Sequence, residues 1–158
     1  MLPHRAAAVD LHFESGGGGL VSTAHDYMRF CRMMLNGGTF DGVQILSPKT
    51  VALFSLNHLQ DNREVADMTT PGMFSEGGYA GVGFSIGCGV NINVAKTRLP
   101  GTVGEYFWGG AASTAFWIDP KEDLAVVFMT QVLGSDVRLT LRRDLRTLVY
   151  AAMTESFA

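Results

Sequence analysis

Three stretches of this sequence hold residue types that could do chemistry. Gly83-Phe84-Ser85-Ile86-Gly87 has the G-x-S-x-G spacing of a nucleophile elbow, in which a strained strand-to-helix turn exposes a serine hydroxyl. That chemistry needs a helix straight after the serine and a histidine later in the chain. Here an apolar alternation runs through Ser85, and His4, His12, His25 and His58 all precede it. The expected role of Ser85 is therefore a small side chain on a strand. Gly16 to Gly19 are four successive glycines whose backbone N–H groups could cradle an anion. A Walker-type phosphate loop needs Lys and then Ser or Thr after its last glycine, and Leu20-Val21 stand there instead. A tight backbone passage is the expectation. Trp108-Gly109-Gly110-Ala111 sets two glycines beside an aromatic ring, where missing side chains let a ligand or another backbone come close. Its structural alternative is an aromatic strand residue next to a glycine bulge.

No metal or cofactor is expected. The sequence has no C-x-x-C and no H-E-x-x-H, and Cys31 and Cys88 fall on apolar faces, where they read as buried free thiols.

The elements that must position these residues follow from periodicity. Residues 105–129 hold two apolar, β-branched and aromatic runs flanking Asp119-Pro120-Lys121-Glu122-Asp123, which predicts a β-hairpin with a five-residue solvated loop and Trp108-Gly109-Gly110 at a strand start. Residues 79–94 alternate, with Val82, Phe84, Ile86, Cys88, Val90 and Ile92 on one side and glycines or small residues on the other, which predicts one strand with a bulky and a bare face. Residues 93–103 read as a loop. A helix capped by Ser22 or Thr23 carries Tyr27, Phe30, Cys31, Met34 and Leu35 at helical spacing and stops at Gly37-Gly38. Ser47-Pro48 opens a second helix. A last helix after Ser135 or Asp136 has Val137, Leu141, Leu145, Leu148 and Val149 as its buried stripe and Arg138, Arg142, Arg143 and Arg146 on a solvated side. Residues 1–14 read as an extended lead-in and 60–78 as a long loop. The fold class expected is α+β, a single partial domain over residues 1–158, with an antiparallel sheet of about three strands packed by helices.

Composition narrows the function classes. With 12 Lys and Arg against 15 Asp and Glu, the formal charge of −3 offers no basic surplus to attract nucleic acid or an acidic membrane. No apolar run approaches the ~20 residues of a membrane span. Nineteen glycines and a positive mean hydropathy leave much apolar surface to cover, so self-association or a missing partner segment is expected.

Ser15-Gly16-Gly17-Gly18-Gly19-Leu20-Val21-Ser22-Thr23, the helix end Leu35-Asn36-Gly37-Gly38, Leu46-Ser47-Pro48-Lys49-Thr50, Trp108-Gly109-Gly110 and Trp117-Ile118-Asp119-Pro120 occur in this order. In order and spacing the chain resembles the β-lactamase-like serine esterases, relatives of class C β-lactamases and penicillin-binding proteins. The resemblance implies the C-terminal portion of that fold. It implies that Trp108, Gly109 and Gly110 line a substrate cleft from a sheet edge, that the backbone N–H of Ala111 is one oxyanion donor, and that the parent substrate is a small acyl ester or β-lactam-like compound. It also implies two motifs that this sequence lacks. The residues three before Lys49, Lys96 and Lys121 are Leu46, Asn93 and Ile118, so no Ser-x-x-Lys exists, and no tyrosine begins a Tyr-x-Asn. The expectation is a chain inactive by itself. The alternative is a non-catalytic ligand-binding or oligomeric structural domain derived from that fold.

Overall fold

The computed structural model describes residues 21–68, 79–133 and 135–158, with the side chains of 135–139 left aside. The lead-in over residues 1–14, the glycines at 16–19 and most of the expected long loop lie outside the described residues. The chain runs α1 (Ala24–Leu35), β1 (Thr39–Phe40), β2 (Val43–Gln44), α2 (Pro48–Leu53), two 3-10 turns, β3 (Val82–Phe84), β4 (Gly89–Asn91), α3 (Val94–Thr97), β5 (Tyr106–Gly109), β6 (Ala115–Asp119), β7 (Leu124–Phe128) and α4 (Ser135–Ala151). The class is α+β. The sheet has five antiparallel strands in the order β3-β4-β5-β6-β7 rather than about three, and β1 and β2 form a separate two-stranded ribbon.

α1 forms where local chemistry asks for it. The Thr23 side chain accepts from the Asp26 N–H, a cap worth about 1 kcal/mol. At the other end the Gly38 N–H reaches the Met33 carbonyl and the Gly37 N–H the Met34 carbonyl, with Gly37 at φ 61°. That pairing is a Schellman stop, which needs a left-handed residue. Ser47 caps α2 through the Thr50 N–H, with Pro48 in the first turn.

The cross-strand register sorts the sheet into two faces. Tyr106 pairs with Ile118 and with Val90, and these residues pack with Cys31 and Met34 of α1 to form the core. Phe107 pairs with Trp117, and over both rings lies the Arg146 guanidinium of α4. Helices therefore cover both faces.

Several expectations are corrected. The alternating segment is not one strand: it turns back between β3 and β4, the Ser85 N–H bonding the Cys88 carbonyl at 2.7 Å and Gly87 taking φ 74°. A two-residue turn shifts the parity of everything after it. Gly83 then faces Val90, Phe84 faces Gly89 and Val82 faces Asn91, so both faces receive apolar side chains. Residues 93–103 include the short helix α3. The loop after β6 is solvated only in part: Asp119, inside the strand, is fully buried, and buried Glu122 accepts from the Phe157 N–H and Ser156 hydroxyl.

The last helix differs most from its expected polarity. Leu148 is exposed, whereas Arg146 is buried and pairs with fully buried Glu105. Arg146 also donates to the Pro100 carbonyl at 2.9 Å. The Tyr150 hydroxyl lies 2.9 Å from Glu105 and 2.8 Å from Asp119. Thr102 donates to Asp119 from the other side. A phenol carries one proton, so both Tyr150 contacts are made in full when Glu105 is protonated and donates to the phenol oxygen. Burial pushes the Glu105 carboxyl up to about 7, against the opposing pull of Arg146. Because the folded protein holds this proton more tightly than the unfolded chain, the stabilisation is complete below about 4.5 and is lost as pH rises towards 7. Unfolding free energy is expected to fall by up to roughly 3 kcal/mol across that window. Glu105→Gln should flatten the slope in urea melts at a series of pH values; an unchanged slope would refute the assignment.

Candidate functional site

β5 holds the centre of the sheet, yet it offers an edge at one end. Its ladder with β4 covers Tyr106 and Phe107 alone, whereas the ladder with β6 continues through Trp108 and Gly109. Past Phe107 the β4 side of β5 has no ladder partner among the described residues. Trp108 and Gly109 therefore end a strand rather than begin one, and Gly110 leads a tight turn into β6.

Trp108 is 42% exposed and meets the Phe84 ring edge-on, with centroids 5.3 Å apart. Phe84 is held by Asn57, whose Oδ1 accepts from the Phe84 and Leu59 N–H groups and whose Nδ2 donates to Asn62 and the Arg63 carbonyl. A side chain at Gly83 would collide with that carboxamide, its Cβ falling 2.3 Å from the Asn57 side chain. Asn57 and Gly83 are thus a matched pair that fixes the aromatic wall. Nothing in the local sequence marks Asn57 for this role, because its partner lies across a long connection.

The turn Gly110-Ala111-Ala112-Ser113 is stitched on nearly every side. The Gly110 N–H donates to the Thr114 carbonyl and hydroxyl, both at 3.1 Å, and the Ser113 N–H closes onto the Gly110 carbonyl. The Ala112 carbonyl accepts from the Val132 N–H and the Thr130 hydroxyl, and the Ser113 hydroxyl donates to the Val132 carbonyl at 2.7 Å. Ser113 has φ 65°, in the left-handed region. From the opposite side Arg142 Nη2 donates to the Gly110 and Thr114 carbonyls, each at 2.8 Å. The N–H groups of Ala111 and Ala112 donate to no described residue, and Ala111 is exposed. Trp108, Gly109, Gly110 and Ala111 thus follow one another at this end of β5: a part-exposed aromatic side chain, a bare backbone step, and then N–H groups at Ala111 and Ala112 that donate to no described residue. A carbonyl oxygen or developing oxyanion placed there would meet a fixed donor.

The other chemical candidates are spent on structure. Ser85 is buried in a hairpin turn, and its hydroxyl donates to the Leu53 carbonyl at 3.0 Å. His58 Nε2 contacts that same carbonyl at 2.9 Å. A carbonyl only accepts, so both groups are donors there, and the histidine cannot take the serine proton through that nitrogen. Cys31 and Cys88 are free and buried, and burial pushes both thiols up to about 11, which keeps them unreactive. Among the described residues no group of three His, Cys, Asp or Glu could hold a metal, and no helix is long and apolar enough to cross a membrane. A surface depression of about 370 Å³ lined by Pro100, Glu122, Tyr150 and Ser156 lies at the opposite end of β6 from Trp108.

Sequence comparison finds 38% identity over 122 residues with Protein Rv1367c of Mycobacterium tuberculosis, covering 75% of this chain and 29% of that protein. A putative D-alanyl-D-alanine carboxypeptidase of Salmonella paratyphi B is 31% identical over 121 residues, covering 73% of this chain and 23% of that one. The chain thus spans less than a third of the length of these relatives. Among solved structures, unliganded simvastatin synthase (LovD) of Aspergillus terreus superposes with a TM-score of 0.66 at 21% identity, over 82% of this chain and 33% of that one. EstCE1, a hydrolase with promiscuous acyltransferase activity, gives 0.63 at 25% identity over 86% and 33%. The model of the Beta-lactamase family matches residues 2–151, nearly the entire sequence, and this chain belongs to that family.

Proposed function

We propose that this chain is the C-terminal part of a serine-dependent, β-lactamase-like acyl hydrolase, in which Trp108, Gly109 and Gly110 form a wall of the substrate cleft and the Ala111 N–H is one oxyanion donor. The observation that carries the reading is that Ala111 is exposed and its N–H donates to no described residue, on a turn held through Gly110, Ala112 and Ser113. The substrate class is a small acyl ester. An indole at 108 offers stacking and no positive charge, which suits an ester better than the carboxylate of a β-lactam. The serine and lysine of Ser-x-x-Lys are absent from the sequence, so the chain alone binds but does not turn over, and a polypeptide carrying that motif is the implied partner.

Binding is tested by fluorescence. 4-Nitrophenyl butyrate should quench the exposed Trp108 in the intact protein, and Trp108→Ala should weaken this quenching at least tenfold. Equal quenching in the variant would place the ligand elsewhere. A second reading, an oligomeric structural domain, is favoured by the exposure of Val43, Ile45, Leu133 and Leu148. It requires a stable oligomer in sedimentation at dilute protein, with no ester response at Trp108.

A further inference from the structure

We propose that Arg142 is a positioning residue for the Ala111 donor, an inference that rests on the reading of Ala111 as an oxyanion donor. The Gly110 carbonyl and the Ala111 N–H belong to one peptide plane, and a trans peptide points them in opposite directions. The described backbone contains no cis bond. The Gly110 carbonyl accepts from the Ser113 N–H at 3.1 Å and from Arg142 Nη2 at 2.8 Å, so the arginine adds to the turn's own bond in keeping the Ala111 N–H pointed away from α4. The same nitrogen holds the Thr114 carbonyl at 2.8 Å, which locks the far leg of the turn in register with the near one.

The contact also acts on the donor's strength. A carbonyl that accepts from a cation is polarised, and the amide N–H sharing its plane becomes the better donor. The guanidinium never reaches the reacting atoms; it works through the peptide. Its placement explains the first glycine of the motif as well, because a Cβ on Gly109 would stand 2.3 Å from Arg142 Nη2. α4 is fixed for the task one turn further on, where Arg146 pairs with Glu105.

The test uses ¹⁵N-labelled whole chain and phenylphosphonate, whose ring suits Trp108 and whose tetrahedral anion imitates the oxyanion. In the parent chain the Ala111 amide resonance should shift and saturate. In Arg142→Ala the affinity reported at Ala111 should fall at least tenfold while the thermal midpoint still shows a folded protein. Arg142→Lys, which keeps the charge but reaches one carbonyl at a time, should fall in between. Retention of the Ala111 response within twofold in Arg142→Ala would overturn the proposal. Residual dipolar couplings of the Gly110–Ala111 peptide without ligand separate the two layers. A plane that reorients in Arg142→Ala, in a parent chain whose Ala111 ignores the phosphonate, sustains the positioning by Arg142 and defeats the oxyanion reading. A plane unchanged in Arg142→Ala and in Arg142→Gln refutes the positioning.

Discussion

Above pH 7, where Glu105 is ionised, Arg146→Ala is expected to cost about 3–5 kcal/mol, the range found when one partner of a buried ion pair is removed. The guanidinium pairs with Glu105, donates to the Pro100 carbonyl and lies over the rings of Phe107, Trp117 and Tyr150. Its loss leaves Glu105 without a counter-charge at a position of zero exposure, and two rings of the sheet lose their cover. Against a total stability of roughly 5–15 kcal/mol the variant sits close to unfolding. A drop of roughly 10 °C or more in thermal midpoint is the result to look for. A cost under 1 kcal/mol would mean that α4 is held by its apolar side chains alone. Arg146→Met, which retains the stem but not the charge, should lose less if ring packing matters more than the ion pair.

Gly109→Ala is the second large effect, and it strikes the candidate site directly. The added methyl would lie 2.3 Å from Arg142 Nη2 and 2.5 Å from the Thr114 carbonyl. The arginine end can swing aside; the backbone carbonyl of the paired strand cannot move without opening the turn. Overpacking of this kind typically costs 1–3 kcal/mol. Displacing Arg142 should remove the ester response as well. Gly110→Ala is the informative neighbour. Its methyl would meet only the Thr114 hydroxyl, at 2.7 Å, a side-chain atom free to rotate. Calorimetry and quenching measured together should therefore show Gly109→Ala hit in both stability and binding, with Gly110→Ala milder in stability. Equal melting temperatures for parent and Gly109→Ala would contradict the packing described around Arg142.

What the sequence made legible was local. The caps at Thr23 and Ser47, the Gly37-Gly38 stop and the β6–β7 hairpin each depend on residues within a few positions of one another. The β3–β4 turn was hidden because Phe84, Ser85, Ile86, Gly87 and Cys88 continue an unbroken alternation, and a two-residue turn leaves no gap in such a pattern. Arg142 and Arg146 look solvated in the sequence because helical periodicity reports which face a charge lies on, not whether a partner waits there. Their partners, Gly110, Thr114 and Glu105, are 28 to 41 positions away and become visible only once the sheet is assembled. Asp119 misled in the same way. A carboxylate beside a proline looks like loop chemistry, yet Thr102 and Tyr150 receive it inside the protein. Trp108-Gly109-Gly110-Ala111 was identifiable as a motif, but its place at the end of β5, where β4 stops short, was not.

The central claim is that the chain supplies an aromatic wall and an oxyanion donor while the attacking serine and its lysine are elsewhere. Intact-mass analysis after prolonged exposure to an alkyl fluorophosphonate tests it most directly. The expected spectrum is that of the unmodified chain, with ester hydrolysis no faster than in buffer. A stoichiometric adduct on Ser85, or on any other serine, accompanied by ester turnover, would contradict it.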